Sequence, residues 1–149
     1  MKIFLGSDHR GFKLKEKLKE YLVKEEYDLE DLGAEEFDKA DDYTVFATRV
    51  ASRVAENRES LGILFCGSGV GVDVTANKFD GVRASIGKEP EQVEAGRNDD
   101  NMNVLVIAAD FTTEEEMMDL VEVFLKTNFS GKARHKRRLE DIKKIEENN

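Results

Sequence analysis

Residues 64–71 read LFCGSGVG, with the chain's only cysteine closing an apolar run and glycines at 67, 69 and 71 directly after it. A cysteine on a strand is by default a small core residue. Cys66 stands at the strand end, beside the start of the next helix, whose dipole favours an anion, and so is a candidate base or nucleophile. Gly67, Ser68, Gly69 and Gly71 would expose backbone N–H groups suited to a phosphate or a developing oxyanion. The loop lacks the full G-x-G-x-x-G spacing, since Val72 and Asp73 follow Gly71, which argues against a dinucleotide site. A second reactive pair, Asp8-His9, follows the first apolar run. Alone it would be a helix cap and a surface histidine; opposite a cysteine and an anion-binding loop it becomes a candidate for substrate binding. A third group is the basic run ARHKRR at 133–138, where Arg134 and Arg138 are spaced i, i+4 and can hold one phosphate between them. Its other reading is a solvated helix face.

Positioning these groups requires a scaffold, and the apolar periodicity supplies one. Residues 3–5 form a short buried strand, and GSDHRG turns into a helix with Leu14, Leu18, Tyr21 and Leu22 on one face. Residues 27–32 make a weaker second strand, followed by a helix bearing Phe46, Val50 and Val54, flanked by Ala47, Ala51 and Ala55. Residues 61–66 are the most apolar strand, and a short helix starts near Val72. Residues 82–86 form a fourth strand; Pro90 opens the next helix, where its missing N–H is harmless. Residues 103–109 form a fifth strand, and Thr113 and Glu116 have capping-box spacing before the stripe Met117, Leu120, Val121, Phe124, Leu125. A last helix runs through the basic cluster into an acidic tail. Strands alternating with helices imply a parallel sheet covered on both faces. In the open order 2-1-3-4-5, ligands bind beyond the carboxyl ends of strands one and three, which makes Asp8-His9 and Cys66 neighbours.

Composition sets the bounds. A chain of 149 residues, 40% hydrophobic, fits one domain spanning 1–149. A net charge of -9 argues against nucleic acid or an anionic membrane as partner. One cysteine excludes an intrachain disulfide, the start MKIFLGSDH is too short an apolar run for a signal peptide, and no stretch approaches the roughly 20 apolar residues of a membrane helix. The expectation is a soluble cytoplasmic protein.

The segments MKIFLGSDHRGFKLKEKLKEYL, DDY, LGILFCGSGVGVDVTANKFDGVRAS, NVLVIAA and GKARHKRRL, taken in order, resemble the type B ribose-5-phosphate isomerases and the related galactose-6-phosphate isomerase subunits. The resemblance implies a three-layer αβα, Rossmann-like sandwich with a C-terminal helix. It also implies a homodimer or homotetramer with active sites at the subunit interface, and aldose-ketose isomerisation of a sugar phosphate through a cis-enediol, with no metal or cofactor. Cys66 matches the family's base, and Ser68 with the Gly67, Gly69 and Gly71 amides its anion hole. Asp8 matches a residue bonding substrate hydroxyls; His9, Arg134 and Arg138 match phosphate-binding positions, and Tyr43 a pocket residue, followed here by Thr44 rather than the family's proline. Two positions depart. The family's ring-opening histidine and the asparagine after it align with Asp99 and Asp100, and a phosphate-binding arginine aligns with Asp110. Carboxylates repel a dianion, so either the phosphate shifts towards Arg134, Arg138 and Arg97, or the substrate differs. Ribose 5-phosphate isomerisation is the leading expectation, with Asp99 or His9 assisting ring opening. The alternatives are a galactose-6-phosphate or other aldose isomerase, and a non-catalytic sugar-phosphate-binding homologue that needs a partner chain.

Overall fold

A computed structural model describes all of residues 1–149. Its strands are β1 (Lys2–Ser7), β2 (Asp28–Asp31), β3 (Leu61–Cys66), β4 (Ala84–Ile86) and β5 (Val104–Ala108). Its helices are α1 (Phe12–Lys24), α2 (Tyr43–Glu56), α3 (Val70–Ala76), α4 (Pro90–Asp100), α5 (Glu114–Lys126) and α6 (Ala133–Glu147). Every strand pairing is parallel, as continuous helix-length crossovers require.

The strand order is β2-β1-β3-β5-β4, which corrects the expected 2-1-3-4-5. The cause is legible in the two strands concerned. VLVIA is buried at every position and needs neighbours on both sides, whereas the three-residue ASI is only half-buried throughout and suits an edge. The chain therefore skips a place after β3 and returns through α4 to fill it. The exchange leaves β1 beside β3, with Ser7 level with Phe65, so the point where strand order reverses is unchanged.

Side chains alternate across the sheet. Ile63 and Phe65 join a core with Leu18 and Leu22 of α1 and Met117 and Phe124 of α5. Leu64 and Cys66 join the opposite core with Val50 and Val54 of α2 and Val72 of α3. The apolar face of α1 differs from expectation at two places: Tyr21 is exposed and Lys15 is fully buried. Lys15 reaches past the end of β2, where its ammonium donates to both Asp31 carboxylate oxygens and to the Ala34 carbonyl, all at 2.8 Å. The Thr113–Glu116 capping box forms as expected, with Glu116 N–H donating to Thr113 Oγ1 at 3.2 Å and Thr113 N–H to the Glu116 carboxylate at 2.7 Å.

Candidate active site

Cys66 is the last residue of β3 and is buried, its thiol on the α2 and α3 side of the sheet. The loop that follows has to turn sharply from strand to helix. Gly69 makes the turn at φ +79°, a conformation side-chain-bearing residues avoid, and caps α3. Gly71 is glycine for a different reason: a Cβ there would lie 2.6 Å from the Tyr43 ring, so the first residue of α2 packs directly against the loop. Ser68 is exposed at the crest and accepts from the Val70 amide at 3.2 Å.

Across the β1/β3 boundary, Asp8 is buried and organises the turn into α1. Its Oδ1 accepts from the Arg10 amide at 3.0 Å and the Gly11 amide at 3.2 Å. Burial raises its pKa above the ordinary aspartate value, against the opposing pull of those amides and of His9. His9 is held by a residue the sequence reading passed over. Asp41 Oδ1 accepts from the His9 backbone at 3.0 Å and sits 2.7 Å from its Nδ1. A carboxylate at that distance favours the imidazole form with its proton on Nδ1. Phe37 packs edge-on against the same ring, 6.2 Å between centroids. Asp41 lay hidden in the acidic run 34–42, where nothing in spacing or periodicity separates it from its solvated neighbours. Arg10, also not singled out from sequence, lies against Gly67 and forms an ion pair with Asp110.

Asp8, His9 and Asp41 are the one group that could offer a cation three ligand atoms within 4.8 Å of one another. His9 Nδ1 and Asp41 Oδ1 already bond each other, and Asp8 Oδ1 is engaged by two amides, so the group as arranged serves proton and hydrogen-bond chemistry.

The remaining expected residues lie elsewhere. Asp99 and Asp100 end α4, which runs antiparallel to the strands and finishes just before β5 begins. They therefore sit at the amino edge of the sheet, separated from Cys66 by the length of β3, about 16 Å at roughly 3.3 Å per residue. α6 docks at that same edge: Ser130 N–H donates to the Asn98 carbonyl at 3.0 Å, and buried His135 lies 3.6 Å from Asp99. His135 Nδ1 meets Ser130 Oγ at 2.7 Å, and Arg134 Nε donates to its Nε2 at 3.2 Å. The histidine of the basic run is thus the anchor of α6, while Arg134 and Arg138 remain exposed. Arg97 is corrected as a phosphate ligand. It is buried, donates to the Thr127 and Met102 carbonyls, and stacks over Phe124 at 5.4 Å, so its guanidinium holds α4 to the core. A cleft of about 520 Å³ opens at this amino edge, lined by Arg58, Arg83, Lys136 and Glu146, remote from Cys66 and its loop.

One chain thus gathers Asp8, His9, Tyr43, Cys66, Gly67, Ser68, Gly69 and Gly71 at the carboxyl edge and leaves Asp99, Asp100, Arg134 and Arg138 at the other. The first set can remove a proton from carbon and stabilise the oxyanion that results. The second can supply acid groups and phosphate-sized cationic charge.

Residues 3–142 match the family model described as Ribose/Galactose Isomerase. The probable ribose-5-phosphate isomerase B of Mycoplasma genitalium is 43% identical over 145 residues, covering 97% of this chain and 95% of the relative. The Escherichia coli K12 ribose-5-phosphate isomerase B is 36% identical over 146 residues, covering 98% and 97%. Among solved structures, the Mycoplasma genitalium enzyme with bound ribulose-5-phosphate superposes with a TM-score of 0.95 at 42% identity, covering 99% of this chain and 97% of the other. The type B enzyme of Trypanosoma cruzi gives 0.94 at 33% identity over the full length of both.

Proposed function

Because this chain belongs to the ribose/galactose isomerase family, we propose that it interconverts ribose 5-phosphate and ribulose 5-phosphate, with Cys66 as the carbon base. The observation that carries the catalytic assignment is the placement of the Cys66 thiol at the foot of an amide-lined loop, directly across from Asp8 and His9. On the open-chain aldose, the Cys66 thiolate takes the proton from C2, and the C2–H electron pair becomes the carbon-carbon double bond of a cis-enediolate. The negative charge falls on O1, where the Gly67, Gly69 and Gly71 amides and Ser68 can meet it. The thiol then returns its proton to C1 as the O2 proton is passed to O1, leaving the ketose. Asp8, buried and close by, bonds the sugar hydroxyls and helps that oxygen-to-oxygen transfer.

The residues at the amino edge complete the site from a second copy of the chain. This reading rests on the roughly 16 Å that separates the two sets within one copy, too far for a pentose phosphate held at Cys66 to reach Arg134 of its own chain. The partner's Arg134 and Arg138 then hold the phosphate, and the partner's Asp99 serves as the ring-opening acid where the family has histidine. An exposed apolar patch around the site, Tyr43, Val45, Val70 and Val74, supports burial against another copy.

The test is turnover of ribose 5-phosphate by the purified single chain, with solvent proton exchange at C1 and C2 followed by NMR. We expect turnover by the native protein and a loss of about 10³-fold or more in kcat for Cys66→Ala. A native chain that binds ribose 5-phosphate without turning it over, or a Cys66→Ala protein at the native rate, overturns the assignment.

A further inference from the structure

The resemblance places a phosphate-binding arginine at position 110, where this chain carries an aspartate, yet a guanidinium is present at that place. Arg10 leaves the turn after β1, crosses the top of the sheet and forms an ion pair with Asp110, in the short turn that follows β5. On the way its guanidinium lies flat against Gly67, so close that a Cβ there would be 2.7 Å from Nη1. The Asp110 amide in turn donates to the Gly67 carbonyl at 3.0 Å. The turns after β1, β3 and β5 therefore meet at one point, and the group they hold in place is a cation at the rim of the anion-binding loop.

Resting on the isomerase reading above, we propose that Arg10 is the phosphate-binding arginine of this half of the site, and that Asp110 positions it. The ion pair does not use up the guanidinium. Arginine offers five N–H donors along a planar fork, and Asp110 takes Nη2, leaving Nε and Nη1. The Arg10 side chain is 54% exposed, so the pair is open to the solvent from which substrate arrives. The charges around the loop also call for a cation. Asp8 and Asp110 lie in the turns beside it and Asp41 holds His9, so acids outnumber His9 there, and a phosphate dianion brought to such a rim would be repelled. Arg10 offsets part of that negative charge. Compared with the family pattern, the guanidinium has moved to the other end of an ion pair while keeping its place above the loop.

The test measures binding apart from turnover, by titrating an equilibrated mixture of ribose 5-phosphate and ribulose 5-phosphate into the protein by calorimetry, alongside KM and kcat. Arg10→Ala should weaken binding and raise KM about tenfold or more, with kcat changed less than about threefold, and Arg10→Lys should recover part of the loss. Asp110→Ala, which keeps the guanidinium, should cost clearly less than Arg10→Ala. Thermal melts of each variant verify folding, which an exposed side chain should leave intact. Arg10→Ala binding the mixture as tightly as the native protein, or Arg10→Ala and Asp110→Ala losing binding equally, would overturn the proposal; the second result would make the pair a staple between turns and nothing more. A native protein that binds no sugar phosphate overturns the isomerase reading itself, before Arg10 is substituted.

Discussion

At the residue scale, the site contains groups whose chemistry and structural duty can be separated. Asp8 is the clearest, because it caps the turn into α1 and is also proposed to bond the substrate. Asparagine retains the oxygen that accepts the Arg10 and Gly11 amides, and it removes a carboxylate whose burial is unfavourable. We therefore expect Asp8→Asn to melt within about 0.5 kcal/mol of the native protein while losing on the order of 10²-fold in kcat/KM, measured side by side by calorimetry and assay. Equal losses in both would mean that Asp8 is only a cap. Asp41 makes a complementary case. Asp41→Asn keeps the shape but lets the His9 ring reverse, and should raise KM by about tenfold with little change in kcat.

At the element scale, the packing of α1 on the end of β2 depends on an ion pair in place of an apolar contact. Lys15 is fully buried, and its ammonium is satisfied by Asp31 and the Ala34 carbonyl, with Lys19 also bonded to Asp31 at 2.8 Å. Burial alone would raise the Asp31 pKa, but the two lysines and the Gly33 amide outweigh it and hold the carboxyl below the usual aspartate range. Its folded-state pKa lies below its unfolded value, so this stabilisation is present above about pH 3.9 and is lost as pH falls through the lowered folded value. Asp31→Asn leaves a buried ammonium short of a partner and should cost about 3 kcal/mol, or roughly 8 °C in Tm at pH 7. The gap in Tm between native and variant should close in melts taken progressively below pH 4; a gap that stays constant would contradict the ion-pair account.

At the scale of the whole molecule, the two halves of the proposed site lie at opposite edges of one sheet, and this division makes a prediction no single-chain site could satisfy. Cys66→Ala and the double variant Arg134→Ala, Arg138→Ala should each be inactive alone. Unfolded together and refolded as a mixture, they should regain activity, because a mixed pair contains one intact site, and random pairing restores about a quarter of the native sites. No recovery, with mixed pairs demonstrated by mass spectrometry, would place both sets of residues in one chain's site by some other route. The exposed valines of α3, Val70 and Val74, are where a second copy should seat, and sedimentation of Val70→Asp, Val74→Asp should show a smaller species.

The amino-acid sequence by itself determined the alternation of strands and helices, the burial of β3 and β5, the Thr113 cap and the pairing of Asp8-His9 with Cys66. Each follows from local signals: unbroken apolar runs, capping spacing, and glycines where a strand must turn into a helix. The place of β4 at the edge was not legible, since residues 82–86 read as a strand like the others and only the packed sheet shortens it to Ala84–Ile86 and leaves it half-buried. What only the tertiary structure decided are contacts between residues far apart in the chain. Asp41 meets His9 across 32 positions and Arg10 meets Asp110 across 100, and neither acid differs in type or spacing from the many solvated acids of this chain. Arg97 was misjudged for the same reason, because a basic side chain reads as a surface group until the core that covers it has formed. The separation of Arg134 from Cys66 was likewise invisible, since sequence order says which strand a residue follows and only the packed sheet says at which edge it ends.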